Sequence, residues 1–377
     1  MKRKKIAVLG STGSVGTQTL DLIKLYPDLF EVKALVAYSN KTLLLEQQKQ
    51  FNAEYVGIID KSLYGRESGV CFGSECLENV AELDLDVILV ATRGIAALRA
   101  VLKAIENGVD VALANKETLV CGGALVKEAL VKSKSALLPV DSEHSAVWQC
   151  LGKGEVSRLV LTASGGPFFG FSAEKLKGVT PEMALKHPNW SMGSKITVDS
   201  ATMMNKGLEI IEAHWLFDMP LKQIDVVVHP QSIVHSLVEY ADGTMLAQMA
   251  LPDMKYAIGY ALSYPERLPA FDARLDLTKI KPLEFFRYDK KIFPAVDLVR
   301  EAFSLSPLMP TVLNAANDTA VGAFLQNRIG FTDICETVRK TLDYYKNRLN
   351  GIQLSIDTVY GLDDEAKRTA ENFLKGK

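Results

Sequence analysis

An α/β architecture opened by a parallel, doubly wound sheet is predicted from three observations. Over residues 1–140, short apolar runs alternate with longer segments of helical spacing. A glycine cluster, Gly10-Ser11-Thr12-Gly13-Ser14-Val15-Gly16, stands where the first apolar run gives way to the first helical segment. All five histidines and all three tryptophans fall between residues 144 and 235, which marks off a chemically rich second region.

The elements follow in order. Residues 5–9 read as a strand, and residues 17–25 as a helix that stops before Pro27. Strands are expected at 32–37, 87–91, 109–114 and 136–140. Between them come helices at 95–105, closed by Asn107-Gly108, and at 119–131. Runs this short and this uniformly apolar suit strands buried on both faces, so helices should cover both sides of the sheet. This is a Rossmann-like arrangement, whose ligands lie where strands pass into helices. Prolines 265, 269 and 282 then punctuate a stretch without periodicity. Helical spacing returns at 295–303, 311–326, 332–346 and 363–375. The expected domains are therefore 1–141 (Rossmann-like, nucleotide-binding), 142–265 (rich in chemical groups), a linker at 266–285, and 286–377 (a helical bundle).

Composition narrows the function. At 377 residues the chain exceeds one ordinary core, and 48% hydrophobic with 23% charged residues is globular. A net charge of −2 provides no field to recruit nucleic acid or an anionic membrane. No apolar run approaches the roughly 18–20 residues of a membrane span. The basic start, Met1-Lys2-Arg3-Lys4-Lys5, is followed by too short an apolar stretch for a signal peptide. Five cysteines without a CxxC pair read as buried thiols, and the expected location is the cytoplasm.

At the nucleotide end, G-x-x-G-x-x-G lets backbone N–H groups approach a pyrophosphate at a helix N-terminus. No acid follows the second strand, where Val36-Ala37-Tyr38-Ser39-Asn40-Lys41 leaves room for a 2′-phosphate, so NADP is favoured over NAD. Further on, Asp141 and Glu143 are expected two apart in an extended segment, on one side, where a hard dication could be held. They could equally cap a helix at 145–151. If 201–212 is helical, Asn205, Lys206 and Glu209 share a face and could hold phosphate and metal together. Ser164-Gly165-Gly166 is either an anion nest or a plain turn. The segment from His187 through Trp190 to Met192 could fold over a small ligand. His144, His214, His229 and His235 read individually as structural.

Together the motifs GSTGSVG (10–16), LANKETLV (113–120), LPVDSEHSA (138–146), SGGPF (164–168), KHPNWSMG (186–193), VDSATMMNKGLE (198–209) and HPQSIVHS (229–236) resemble the 1-deoxy-D-xylulose 5-phosphate reductoisomerases. LPDM (251–254) and LNAAND (313–318) fit as well. The resemblance implies an NADPH- and metal-dependent oxidoreductase and isomerase of isoprenoid biosynthesis. It also implies a homodimer acting on a sugar phosphate, with 142–265 as an α+β catalytic domain. Asp141, Glu143 and Glu209 are then the ligands of Mn²⁺, Mg²⁺ or Co²⁺. Ser164, Ser200, Asn205, Lys206 and His187 hold the substrate and its phosphate, while Ser142 and Lys116 contact the sugar backbone. Glu143, Lys116 and His187 are the implied catalytic groups. Trp190 and Met192 cover the site, which His235 and Met254 line. Thr12, Gly13, Ser14, Val15, Asn40, Asn115, Glu117 and Gly193 match cofactor-contacting positions. The family commonly has Gly and a basic residue before the position of Asn40, where this chain has Tyr38 and Ser39. An aspartate-semialdehyde-type dehydrogenase would need a nucleophilic Cys in a dedicated motif, and neither Cys121 nor Cys150 occupies one. A non-enzymatic NADP sensor would need no carboxylate triad.

Overall fold

The structure, a computed structural model, describes residues 3–65, 69–186, 188, 190, 193–269 and 274–375. The chain forms two compact units. The first comprises Met1–Thr118, Ala124–Trp148 and Asp253–Arg274, and the second Leu119–Gly123, Gln149–Pro252 and Leu275–Lys377.

The first unit is built on β1 (Lys4–Leu9), α1 (Ser14–Leu25), β2 (Phe30–Ala37), α2 (Lys41–Phe51), β3 (Tyr55–Ile58), β4 (Val70–Phe72), α3 (Glu75–Val80), β5 (Val87–Val90), α4 (Leu98–Glu106), β6 (Asp110–Leu113), α5 (Lys116–Val131), β7 (Leu137–Pro139) and α6 (Ser142–Cys150). Its seven strands run parallel in the order β4-β3-β2-β1-β5-β6-β7. The doubly wound prediction holds. The strand order reverses between β1 and β5, and the glycine loop follows β1 at that reversal. The sequence missed α2, β3, β4 and α3, because strands of three and four residues carry too little periodicity to read.

Two glycines of the loop are required by space. Gly10 has φ +88°, and a Cβ there would lie 2.4 Å from the Ala91 carbonyl oxygen. A Cβ on Gly16 would lie 2.2 Å from the Gly10 oxygen. Gly16→Ala is therefore expected to destabilise the fold by about 2–3 kcal/mol, since backbone must move to admit the methyl. Urea unfolding checks this, and an unchanged midpoint would mean that the loop relaxes freely.

The second unit continues with β8 (Val156–Ala163), α7 (Ala173–Leu176), α8 (Pro181–Ala184), α9 (Ser194–Thr202), α10 (Met204–Phe217), β9 (Ile224–Val228), β10 (Val234–Tyr240) and β11 (Met245–Met249). Its sheet has the order β11-β10-β8-β9, mixed in direction. The chain then returns to the first unit with α11 (Lys255–Ser263), which packs beside α1, β6 and β7 and places Ile258, Ala261 and Leu262 in the core. Helices α12 (Ala295–Leu305), α13 (Met309–Leu325), α14 (Asp333–Tyr345) and α15 (Ile356–Lys375) complete the second unit as the expected bundle. Among the described residues no helix is long and apolar enough to cross a membrane.

Candidate functional site

In the first unit the glycine loop ends on Gly13, the N-cap of α1, and no described side chain caps that helix. Its first N–H groups are thus open to an acceptor, with Gly13 and Ser14 exposed and Thr12 and Val15 partly so. The next crossing is organised differently. Asn40 caps α2, accepting from Leu43 N at 3.2 Å, while the exposed Tyr38 and Ser39 precede it. The Lys41 ammonium lies 5.9 Å from the centre of the Phe72 ring.

Asn115 acts as a hub between two loops. Its Nδ2 donates to Thr92 O (3.0 Å), Gly94 O (2.9 Å) and Glu117 Oε2 (2.9 Å), and its Oδ1 accepts from Thr118 Oγ1. The neighbouring Lys116 and Asp141 are both buried and ion-paired. Of the two readings of Asp141 and Glu143, the extended segment fails and the helix start holds. The strand β7 stops at Pro139 and α6 begins at Ser142, with Ser145 N bonded to Asp141 O at 2.8 Å. Glu143 therefore occupies the first turn of a helix, where the N-terminal dipole favours its charge, and accepts from Ser142 Oγ at 2.8 Å. Met254 also belongs to the first unit, partly buried against its core.

The second unit carries Ser164, Ser200, Asn205 and Lys206, expected to hold the phosphate. Lys206 and Glu209 on α10 are 4% and 1% exposed and ion-paired at 2.5 Å, and Asn205 Nδ2 donates to the other oxygen of Glu209 at 2.5 Å. Helical spacing does bring the three together. Asn205 Oδ1 is buried without a hydrogen-bond partner among the described residues, so it is poised to accept from a ligand hydroxyl. Ser164 Oγ accepts from Gly166 N at 3.2 Å. Gly165 and Gly166 both have positive φ, and a Cβ on Gly166 would lie 2.9 Å from the Ser200 carbonyl oxygen. Gly166 thus serves close approach of the Ser164 loop to α9, which carries Ser200. Met203, at φ 64°, turns the chain from α9 into α10.

Gly193 caps α9, its carbonyl accepting from Thr197 N at 3.1 Å and Thr197 Oγ1 at 2.8 Å. The Trp190 ring lies edge-on to His235, with centroids 6.3 Å apart. His187 and Met192 lie outside the described residues. His229 is structural, as read. Its Nδ1 meets Glu284 O at 2.8 Å, its Nε2 accepts from Ile233 N and Val234 N at 3.2 Å, and its ring stacks on Phe285.

All five cysteines are free, though Cys71 and Cys335 are only partly buried rather than fully so. Burial, with Cys71 beside it, pushes the Cys76 thiol up to about 12. Burial and the nearby Asp199 carboxylate push Cys335 up to about 12, and burial also raises Cys150. For Cys76 and Cys335 the stabilising contribution is complete below the ordinary thiol value and is lost as pH rises toward 12. Iodoacetamide at about pH 8, close to the ordinary thiol value, is expected to leave Cys76, Cys150 and Cys335 unmodified in the native protein. Mass spectrometry reads this, and rapid labelling of Cys76 or Cys335 would contradict it.

Sequence reasoning missed Asp199, a buried carboxylate on α9, and Asn317 on α13, which donates to it at 2.8 Å. Both lay within quoted motifs, but nothing in those motifs reveals that the two meet.

Family models match along most of the chain. The 1-deoxy-D-xylulose 5-phosphate reductoisomerase model matches residues 6–123, its C-terminal domain model residues 137–217, and the DXP reductoisomerase C-terminal domain model residues 249–369. The reductoisomerase of Chlorobaculum tepidum is 49% identical over 98% of this chain and 100% of its own. That of Clostridium perfringens is 45% identical over 97% of this chain and 98% of its own. Among solved structures, the Zymomonas mobilis reductoisomerase in complex with NADPH aligns over 100% of both chains, with TM-score 0.92 and 42% identity. A second, in complex with NADPH, fosmidomycin and magnesium, covers 99% of this chain and 98% of that one, with TM-score 0.93 and 37% identity.

Proposed function

The chain belongs to the 1-deoxy-D-xylulose 5-phosphate reductoisomerase family, and on that basis we propose that it rearranges 1-deoxy-D-xylulose 5-phosphate and reduces the branched aldehyde to 2-C-methyl-D-erythritol 4-phosphate. It is an NADP-dependent oxidoreductase and isomerase of isoprenoid biosynthesis. Membership sets aside both the aspartate-semialdehyde-type dehydrogenase and the non-enzymatic sensor. What supports the reading at residue level is the buried Lys206–Glu209 pair with the half-buried Asn205 beside it, which sets a cation suited to phosphate next to a carboxylate suited to a metal on one helix.

The residues suit both cofactors. The uncapped start of α1, cleared by Gly10 and Gly16, fits the pyrophosphate of NADPH, with Thr12, Gly13, Ser14 and Val15 along the loop and Asn40, Asn115, Glu117 and Gly193 as further contacts. With Asn40 engaged as a helix cap, the exposed Tyr38 and Ser39 before it would be offered to the 2′-phosphate. Asp141, Glu143 and Glu209 would hold the dication. Oxygen donors of this kind suit Mg²⁺, Mn²⁺ or Co²⁺, and Asp141 and Glu209 each already carry an ammonium partner, as sites for positive charge do. When bound, NADPH supplies hydride and the dication stabilises negative charge on substrate oxygens.

The chain's own groups supply the rest. Lys206, Asn205, Ser200, Ser164 and His187 hold the phosphate, whose binding energy orients carbons remote from it. Ser142 and Lys116 hold the sugar hydroxyls. Lys116 or Glu143 moves the hydroxyl protons, each being placed beside a partner that can receive or return one. Trp190, Met192, His235 and Met254 exclude water.

We extend the proposal to the division into 1–141, 142–265, 266–285 and 286–377, to a cytoplasmic location, suggested by five free thiols, and to a homodimer. In support of the last, Met245 and Leu246 are 44% and 50% exposed on β11, an edge strand of the second sheet. Light scattering at micromolar concentration tests the dimer, and a monomer mass would refute it. The function is tested by NADPH oxidation with the pentulose phosphate. Activity should vanish with EDTA and return with Mn²⁺, and a metal-independent or absent reaction overturns the proposal.

A further inference from the structure

We infer that Asp199 is a positioning residue for the phosphate pocket, tying the helix that carries Ser200 to the C-terminal bundle. Asp199 lies in the second turn of α9 and is 1% exposed. Its Oδ1 accepts from Asn317 Nδ2 at 2.8 Å, and its Oδ2 meets Lys195 Nζ at 2.9 Å. Lys195 reaches Asp318 Oδ1 as well, at 3.1 Å. A carboxylate withdrawn from water persists only when both oxygens are met, and here the partners come from different helices, α9 itself and α13.

Asn317 is committed to this bond. It is fully buried, and its Oδ1 has no hydrogen-bond partner among the described residues. An amide half-satisfied in a helix core is unfavourable, and the bond that its other end makes to Asp199 offsets part of that cost. An apolar contact at this place would let α9 roll or slide against α13. A charged contact with directed partners selects one arrangement.

That arrangement matters because Ser200 follows Asp199 directly. The Ser164 loop is seated on the Ser200 carbonyl through Gly166, so a roll of α9 would carry Ser200 and Ser164 together away from Asn205 and Lys206, which lie beyond the left-handed Met203. Lys195, one turn earlier and two residues past the Gly193 cap, fixes the start of the same helix. The inference rests on the proposed phosphate role of Ser200.

The test is Asp199→Asn in the full-length protein, which keeps shape but removes the charge that Lys195 and Asn317 answer. The KM for the pentulose phosphate should rise at least about tenfold, kcat should change less than about threefold, and NADPH affinity should stay unchanged. The exchange Asp199→Asn with Asn317→Asp restores a carboxylate facing an amide and should recover most of the KM. If the single variant folds poorly, Lys195→Met should give a smaller KM rise with cofactor affinity intact. A wild-type KM in Asp199→Asn overturns the inference. So does a parallel loss of KM, kcat and cofactor affinity that the exchange fails to rescue. Wild-type enzyme assayed alongside separates the two levels, because its inactivity would sink the functional reading, whereas an active wild type with an unaffected variant sinks the inference alone.

Discussion

Replacing Glu209 by Gln is expected to lower turnover by about 10³-fold or more, equivalent to roughly 4 kcal/mol of transition-state stabilisation, while NADPH binds as before. The carboxylate is 1% exposed and takes hydrogen bonds from Lys206 and Asn205 at 2.5 Å each. The amide matches its shape and can still accept from Asn205 or Lys206, so the loss of the counter-charge to Lys206 costs stability without removing all of the hydrogen bonds. What disappears is one negative charge at a place where burial magnifies charge. A hard dication loses a ligand that a neutral amide replaces weakly. NADPH oxidation across a Mn²⁺ titration, with cofactor binding followed by fluorescence, makes the measurement. Near-normal turnover at saturating Mn²⁺ would remove Glu209 from the metal site.

Lys206→Met should act on stability and affinity together. Lys206 is 4% exposed, and Met fills similar volume without the charge. Glu209 would then keep Asn205 but lose its cation, and removing one partner of a buried pair typically costs about 3–5 kcal/mol. Added Mn²⁺ should restore part of that loss, because the dication replaces the missing charge beside Glu209. The KM for the sugar phosphate should rise by about 100-fold, the value of one lost charge-assisted phosphate contact. Thermal melting with and without Mn²⁺, alongside steady-state kinetics, reads both effects. Unchanged melting together with unchanged KM would place Lys206 outside the phosphate pocket.

Much of this was legible from residues alone. The five strands expected before residue 141 are present, because a strand buried on both faces writes its burial directly into four to six consecutive apolar positions. The four C-terminal helices were legible for the parallel reason, an apolar stripe at helical period. Asn205, Lys206 and Glu209 were legible as a group, since i,i+3 and i,i+4 neighbours meet on any helix. The Asp141–Glu143 pair was legible only as a choice between an extended segment and the start of a helix. An acidic residue two after another has the same spacing whether the chain stays extended or turns into α6, and the helix won here because Ser142 and Glu143 suit a first turn.

The chain by itself determined the α/β class, the glycine-lined start of α1 and the inventory of carboxylates, amides and cations, all of them properties of near neighbours along the backbone. Only the tertiary structure decided that residues 253–274 rejoin the first unit, that Gly166 is seated against Ser200, and that Asp199 meets an amide 118 positions away. Burial and pairing are set by partners remote in sequence, and periodicity reports nothing beyond a turn or two.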